Sequence, residues 1–557
     1  MSCLNPLNLL VDCLIDFAAI DASDLDPETK RWLHKIKDST TIFAVKQADG
    51  FIESVQDPPT DADVKTELIN LGWKKTGEGF DEWTKDRVMK ISHNISPSFS
   101  TVILGQDDLF GKYTVLEKIV GVATRNRLLL PLEDHDLVLG DDELAARISD
   151  DLKFEMGKAL PQTYNTDFNM LTDESFSRIF FYGMGSVLIA KQEEVSSSEY
   201  GPFVVDLKVL QGLSYRRKYR KLGSRIHFNK DQQPTAIHDY DTGKTYTPGS
   251  DGWENAKTLA KVGAFLLMTA REHLTWTHLV ASNIATREST LNLAPSHPLR
   301  RLLTVFTFRA TEVNLAAFDS LVPNTSILHR SAGLKYSSLV DVFEHSYKSC
   351  TIFEPFADRK YNSAVQELID EDKFPFASQG KAYYEIVRDF VKDWISKCGE
   401  AASDAEAMAF YNAVKAGTKG MKYEIPEYSA ENMINVLSSI IFTVTGYHEL
   451  IGHVVDYTLL PSRAGFRLTK KDPSEVDFQS YLLTNVISAS TSVPMPMLMQ
   501  KFPNFFGVGG PEWERTVWDS FHTKLVAQSE KVQAADKKRA VEYKYFDPAR
   551  FECSVSV

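Results

Sequence analysis

The sequence predicts a mainly α protein, and three observations carry that expectation. Long stretches repeat their apolar residues with a period near 3.6, strand-like alternation is confined to one short segment, and no internal repeat, low-complexity tract or Gly/Ser-rich linker divides the chain. The first helical candidates are residues 6–22 and 27–36, with looser sequence over 57–63. Residues 1–110 therefore read as a mostly helical extension packed on a larger domain, residues 111–557. The best strand signal is residues 224–240 (SRIHFNKDQQPTAIHDY), two short alternating runs around the turn-rich NKDQQP, which reads as a minor hairpin. Elsewhere the long 3.6-period stretches are residues 253–284, 338–368, 380–415, 429–460 and 511–538.

At 557 residues and 43% hydrophobic, the chain can bury a large core. Its 62 Lys+Arg against 75 Asp+Glu give a net charge of −13, which works against a nucleic-acid partner, because that affinity rests on cations displacing counterions. The basic run 215–221 (YRRKYRK) reads as a solvated face in an acidic protein. Five cysteines, odd in number and without CxxC spacing, suggest neither a disulfide framework nor a zinc ribbon, so a reducing compartment, the cytoplasm, is expected. Residues 4–20 are apolar but carry Asp12 and Asp16 with no basic residue ahead of them, the wrong flank for a secretory signal. A helix packed on its own domain is the expectation there, and transient contact with a membrane surface is the alternative use of that apolar face. No other run approaches the roughly 20 apolar residues that cross a bilayer, so a soluble chain is expected.

Two histidine pairs lie inside apolar helical stretches: His273 and His278 in REHLTWTHLV, and His448 and His453 in TGYHELIGHVVDY. Imidazoles from two packed helices can clasp a transition metal, and the competing reading is a set of core histidines each satisfied by a hydrogen bond. At about 100° per residue, positions five apart on a regular helix differ by roughly 140°, so His273 and His278 converge only if a π-turn, near 82° per residue, lies between them. A zinc-protease reading of HELIGH fails, because that chemistry needs H-E-x-x-H and His448 and His453 are separated by four residues.

Three ordered segments resemble the lipoxygenase family. His273 and His278 form H-x4-H and are followed by SHPLRRLL over residues 296–303, with Asn314 beyond; Ile440, Ile441, Phe442 and His448 fall in register with a second helical element; and the chain ends YFDPARFECSVSV, similar to the family's terminal motif. The resemblance runs from about Asp108 to Val557 and implies a lipoxygenase-like helical catalytic domain with small β elements. The family's N-terminal β-sandwich lipid-binding domain is expected to be missing.

The resemblance further implies a non-heme iron, with manganese compatible with the same donors, held by His273, His278, His448 and the terminal carboxylate of Val557. It implies a dioxygenase that inserts O2 into a polyunsaturated fatty acid, at a 1,4-pentadiene unit, to give a hydroperoxide, an activity of oxylipin and lipid metabolism. Leu274, Trp276 and Phe442 are candidates for an apolar oxygen and substrate channel, and ordinary core packing explains them equally well. Ser282, Asn283 and Glu449 are candidates to orient the ligands. Two positions depart from the family's pattern. Four residues past His448 stands Gly452, with no side chain to offer, so either His453 or a water fills that place. The family's Ala-or-Gly position governing oxygen access falls on Asn324. These departures motivate an alternative, a lipoxygenase-fold tailoring oxygenase acting on an unsaturated natural product, and a third reading is a metal-free relic of the fold. The oligomeric state is not legible.

Overall fold

The computed structural model describes residues 172–192, 199–215, 219–294, 296–307, 331–356, 373–452, 465–470, 497–499, 511–539 and 541–555, together with residues 310, 313–314, 328 and 506. The expected extension over residues 1–110, the start of the domain proposed from residue 111, Asn324, His453 and Val557 all lie outside these residues.

The described part opens with helix α1 (Asp173–Phe181), capped by the Thr172 hydroxyl, which accepts from the Ser175 amide. Next comes a five-stranded antiparallel meander of β1 (Ala190–Lys191), β2 (Phe203–Asp206), β3 (Ser224–Phe228), β4 (Pro234–Asp239) and β5 (Thr245–Tyr246), in sequence order. The expected minor hairpin is β3–β4, with Ile226 opposite Ile237, and it proves to be the centre of this sheet. The flanking strands are two to four residues long, too short for alternation to show in sequence. The β3–β4 turn is held by Asn229, whose Oδ1 accepts from the amides of Asp231 and Gln233, both at 2.9 Å.

Helix α2 runs without a break through Trp253–Leu267, a π-helix over Met268–Ser282, and Asn283–Asn292. It packs on β3 and β4 and approaches the loop before β3 so closely that a Cβ on Gly263 would stand 2.6 Å from the Leu222 carbonyl oxygen. Then come α3 (Pro298–Phe306), α4 (Tyr336–Lys348), α5 (Pro375–Cys398), α6 (Ala405–Gly417), α7 (Ala430–Gly452) and α8 (Trp513–Asp536). Two expected helices are corrected here. The stretch 380–415 is two helices, broken where Gly399 takes φ 59°, a left-handed value that disfavours other residues, and restarted at Asp404, whose carboxylate accepts from the Ala407 amide. Within the stretch 338–368 the helix ends at Lys348 and the chain turns over residues 349–354, while residues 357–368 lie outside the described residues.

Helix α7 is long and apolar enough to cross a membrane, and 94% of its most apolar window is buried inside the protein, as befits a core helix. It packs on α5, which packs in turn on α8, and its C-terminal half crosses the π-helix of α2. Around that crossing lies an aromatic core of Phe356, Tyr383, Tyr384, Phe442 and Phe546, with ring centroids 4.9 to 6.4 Å apart. A buried ion pair ties α3 to α8: the Arg301 guanidinium donates to both carboxylate oxygens of Glu514, at 2.7 and 2.8 Å.

Candidate metal centre

The two helices that cross at the core both leave α geometry there. In α2 the π-helix covers Met268–Ser282, and in α7 a shorter one covers Thr443–Tyr447. A π-helix bonds i to i+5, and the threonines of α2 match that spacing: Thr275 Oγ1 donates to the Ala270 carbonyl at 2.6 Å and Thr277 Oγ1 to the Glu272 carbonyl at 2.8 Å, each five residues back. The wider turn is what a five-residue separation needs to bring His273 and His278 to one side.

His273, His278 and His448 are all buried, and their Nε2 atoms form a nearly equilateral triangle: 3.1 Å from His278 to His273, 3.2 Å from His273 to His448 and 3.2 Å from His448 to His278. For metal–imidazole bonds of about 2.0 to 2.1 Å, adjacent ligand nitrogens stand roughly 2.9 Å apart at octahedral angles and roughly 3.4 Å apart at tetrahedral ones, so these edges fit one face of a coordinated ion.

The tautomer fits too. Asn314 Nδ2 donates to the His278 carbonyl at 3.0 Å, which leaves its Oδ1 to accept from His278 Nδ1–H, also at 3.0 Å, and so turns the lone pair of His278 Nε2 into the triangle. Three ring nitrogens this close cannot all be paired by hydrogen bonds within the triangle, whereas an ion accepts all three lone pairs.

Gly452 faces this triangle. A Cβ built there would stand 3.5 Å from His448 Cε1 and 3.6 Å from both His273 Nε2 and His448 Nε2. Because His448–Gly452 is regular α-helix, the position four residues past His448 projects from the same side of α7, so this chain presents a glycine where a side chain would reach the ion.

The other sequence candidates fall in several places. Ser282 Oγ lies 3.5 Å from Asn314 Nδ2, the amide that also bonds the His278 carbonyl. Asn283 is buried, and its Oδ1 has no hydrogen-bond partner among the described residues. Glu449 is buried beside His448. Leu274 is buried in the core, Trp276 donates from its indole to the Ser346 carbonyl on α4 at 2.7 Å, and Phe442 belongs to the aromatic core. Three residues beside the triangle were not sequence candidates for a role: Asn314, noted only as following the histidine motif, Glu272 and Tyr447. A carboxylate inside an apolar helix, one residue ahead of His273, was the available signal.

Residues 544–550 pack against α5, α7 and α8. Asp547 anchors them to α8 by accepting from Ser529 Oγ at 2.5 Å and Gln533 Nε2 at 2.9 Å. Phe551 then lies against Tyr383, 4.7 Å between centroids, and both rings press on Gly446, where a Cβ would meet Tyr383 at 2.8 Å and Phe551 at 3.1 Å. Thr445 spends its hydroxyl hydrogen on the Ile441 carbonyl, so Tyr383 donates to Thr445 Oγ1 at 2.6 Å, and burial raises the Tyr383 phenol above its ordinary pKa. Cys553, Ser554 and Val555 are buried.

No family model matches the chain. Its fold is shared with solved lipoxygenases: a lipoxygenase termed delta413-417:GS LOX, crystallised anaerobically in complex with arachidonate, superposes with a TM-score of 0.65 at 17% identity over 81% of this chain and 75% of that one. A manganese lipoxygenase does so with a TM-score of 0.59 at 16% identity over 82% of this chain and 92% of that one. The described residues therefore have the fold of a lipoxygenase catalytic domain. In sequence, the chain is 24% identical over 336 residues to the polyunsaturated fatty acid lipoxygenase ALOX15 of Sus scrofa, 55% of this chain and 49% of that relative. The chain is therefore similar to lipoxygenases in sequence and in fold, and it spans only about half the length of that relative. The three imidazoles described here suit a transition metal, and one of these solved neighbours is a manganese lipoxygenase.

Proposed function

We propose that this chain is a lipoxygenase in activity as well as fold: a dioxygenase that adds O2 to a polyunsaturated fatty acid at a 1,4-pentadiene unit and forms a hydroperoxide. The observation that carries the reading is the triangle of buried Nε2 atoms, whose 3.1 to 3.2 Å edges match those of imidazoles bound to one ion. His273, His278 and His448 hold the metal, with the α-carboxylate of Val557 as its anionic ligand, and iron is the proposed ion with manganese as the alternative. When bound, the metal supplies a one-electron oxidant able to take a hydrogen atom from the weak C–H bond between two cis alkenes.

The protein's part is orientation and exclusion of water. Asn314 fixes the His278 ring, the aromatic core around Phe442 and Tyr383 keeps the second ligand helix dry, and Gly446 lets the chain end pack against α7. Support for a fatty-acid substrate comes from the relatives' names and from the arachidonate complex of a neighbour with the same fold. The test is metal analysis of the purified protein followed by oxygen uptake with linoleate and arachidonate. One equivalent of iron or manganese with uptake on either acid supports the proposal. Full metal loading with no uptake on any polyunsaturated acid points to the tailoring-oxygenase alternative, and a protein that holds no metal contradicts both.

A further inference from the structure

The two residues immediately ahead of the ligands on the two crossing helices touch each other. Glu272 precedes His273 within the π-helix of α2, and Tyr447 precedes His448 at the end of the π-helix of α7. The Tyr447 hydroxyl donates to Glu272 Oε2 at 2.6 Å across 175 residues of sequence. The second carboxylate oxygen, Oε1, accepts from the Arg271 guanidinium at 2.7 Å, and that guanidinium lies 5.3 Å over the Trp276 ring. Glu272 is 1% exposed and Tyr447 not exposed at all.

A carboxylate buried this deeply is costly unless it is paired and hydrogen-bonded, and here both oxygens are engaged. The carbonyl of the same residue is held as well, by Thr277 Oγ1 at 2.8 Å, so Glu272 is fixed at backbone and side chain together. His273 and His448 belong to different helices, and their Nε2 atoms face one another at 3.2 Å. A strong hydrogen bond one residue upstream of each ligand fixes the rotation and separation of the two helices at the level of the metal.

We propose that Glu272 and Tyr447 form a positioning pair that sets the His273–His448 edge of the ligand triangle, and thereby the affinity and ligand field of the bound metal. This rests on the reading that the three histidines hold a metal. Neither residue is proposed to touch the ion; they act through the adjacent ligands, in the way that outer partners hold ligating rings in place.

The experiment titrates cobalt(II), whose d–d absorption reports ligand geometry, into the metal-free full-length protein, the Tyr447→Phe and Glu272→Gln variants and the double variant, with thermal midpoints measured alongside. Tyr447→Phe removes one hydroxyl and keeps the packing, and Glu272→Gln keeps the shape and removes the charge. Each single variant should bind cobalt about 10-fold or more weakly than wild type, with a shifted absorption band, and the double variant should be little worse than either single one, because Tyr447→Phe removes and Glu272→Gln weakens the same contact. Wild-type affinity and an unchanged band in both single variants, whatever their thermal midpoints, would overturn the proposal and leave the pair a plain structural brace. Failure of the wild type to bind cobalt would instead remove the metal reading, and the pair's role with it.

Discussion

The two helices that carry the proposed metal ligands solve one geometric problem in different ways. Helix α2 contributes two imidazoles and departs from α geometry for 15 residues; α7 contributes one and departs for 5. The long π-segment is lined with threonines that return hydrogen bonds to carbonyls five residues back, whereas Thr445 in α7 reaches back only four, to Ile441. The π-helix is extended where a spacing of five must be brought to one side, and minimal where a single ligand has only to be rotated into register. The surroundings of the histidines differ as well: His278 of α2 is clamped by Asn314 from a later segment of the chain, and α7 offers the bare face of Gly452.

The comparison is broken most severely by removing a ligand from either helix. His278→Ala and His448→Ala should each abolish stoichiometric metal, as measured by elemental analysis; retention after His448→Ala would mean that the α2 pair suffices and α7 is only scaffold. Next in size is Asn314→Ala, which frees the His278 ring and should lower the affinity of the metal-free protein for manganese(II) by about 10- to 100-fold by calorimetry, with little change in thermal midpoint.

The two glycines of α7 separate space from function. Gly446→Ala pushes a methyl into the Tyr383 and Phe551 rings and should destabilise the protein by about 1 to 3 kcal/mol in denaturant unfolding. Gly452→Ala meets only ordinary contacts at 3.5 to 3.6 Å and should stay within about 0.5 kcal/mol of wild type, while Gly452→Asn should strengthen manganese binding by bringing an amide oxygen to the open side of the triangle. Thr277→Val should cost about 1 kcal/mol in the same unfolding assay, because it removes a buried hydrogen bond to the Glu272 carbonyl.

What the sequence disclosed follows from the range of the interactions involved. The spacing of His273 and His278 called for a π-turn because the competing geometry is a matter of angle alone, and the direction of Gly452 followed from counting four residues along a helix. The division of residues 380–415 at Gly399 was missed because a helical apolar pattern runs on both sides of one left-handed glycine, with no proline between them. The sheet was underestimated because β1 and β5 are two residues long and earn their place by pairing with neighbours. The Glu272–Tyr447 contact had no local signature at all, since its partners are 175 residues apart and each is unremarkable in its own helix.

The account stands on three imidazoles from two helices sharing one ion. Equilibrium dialysis of the metal-free protein against manganese(II), for wild type and His448→Ala, tests that most directly. One tightly bound equivalent in wild type and none in His448→Ala is the predicted result. One equivalent held equally tightly by both proteins, or by neither, would contradict it.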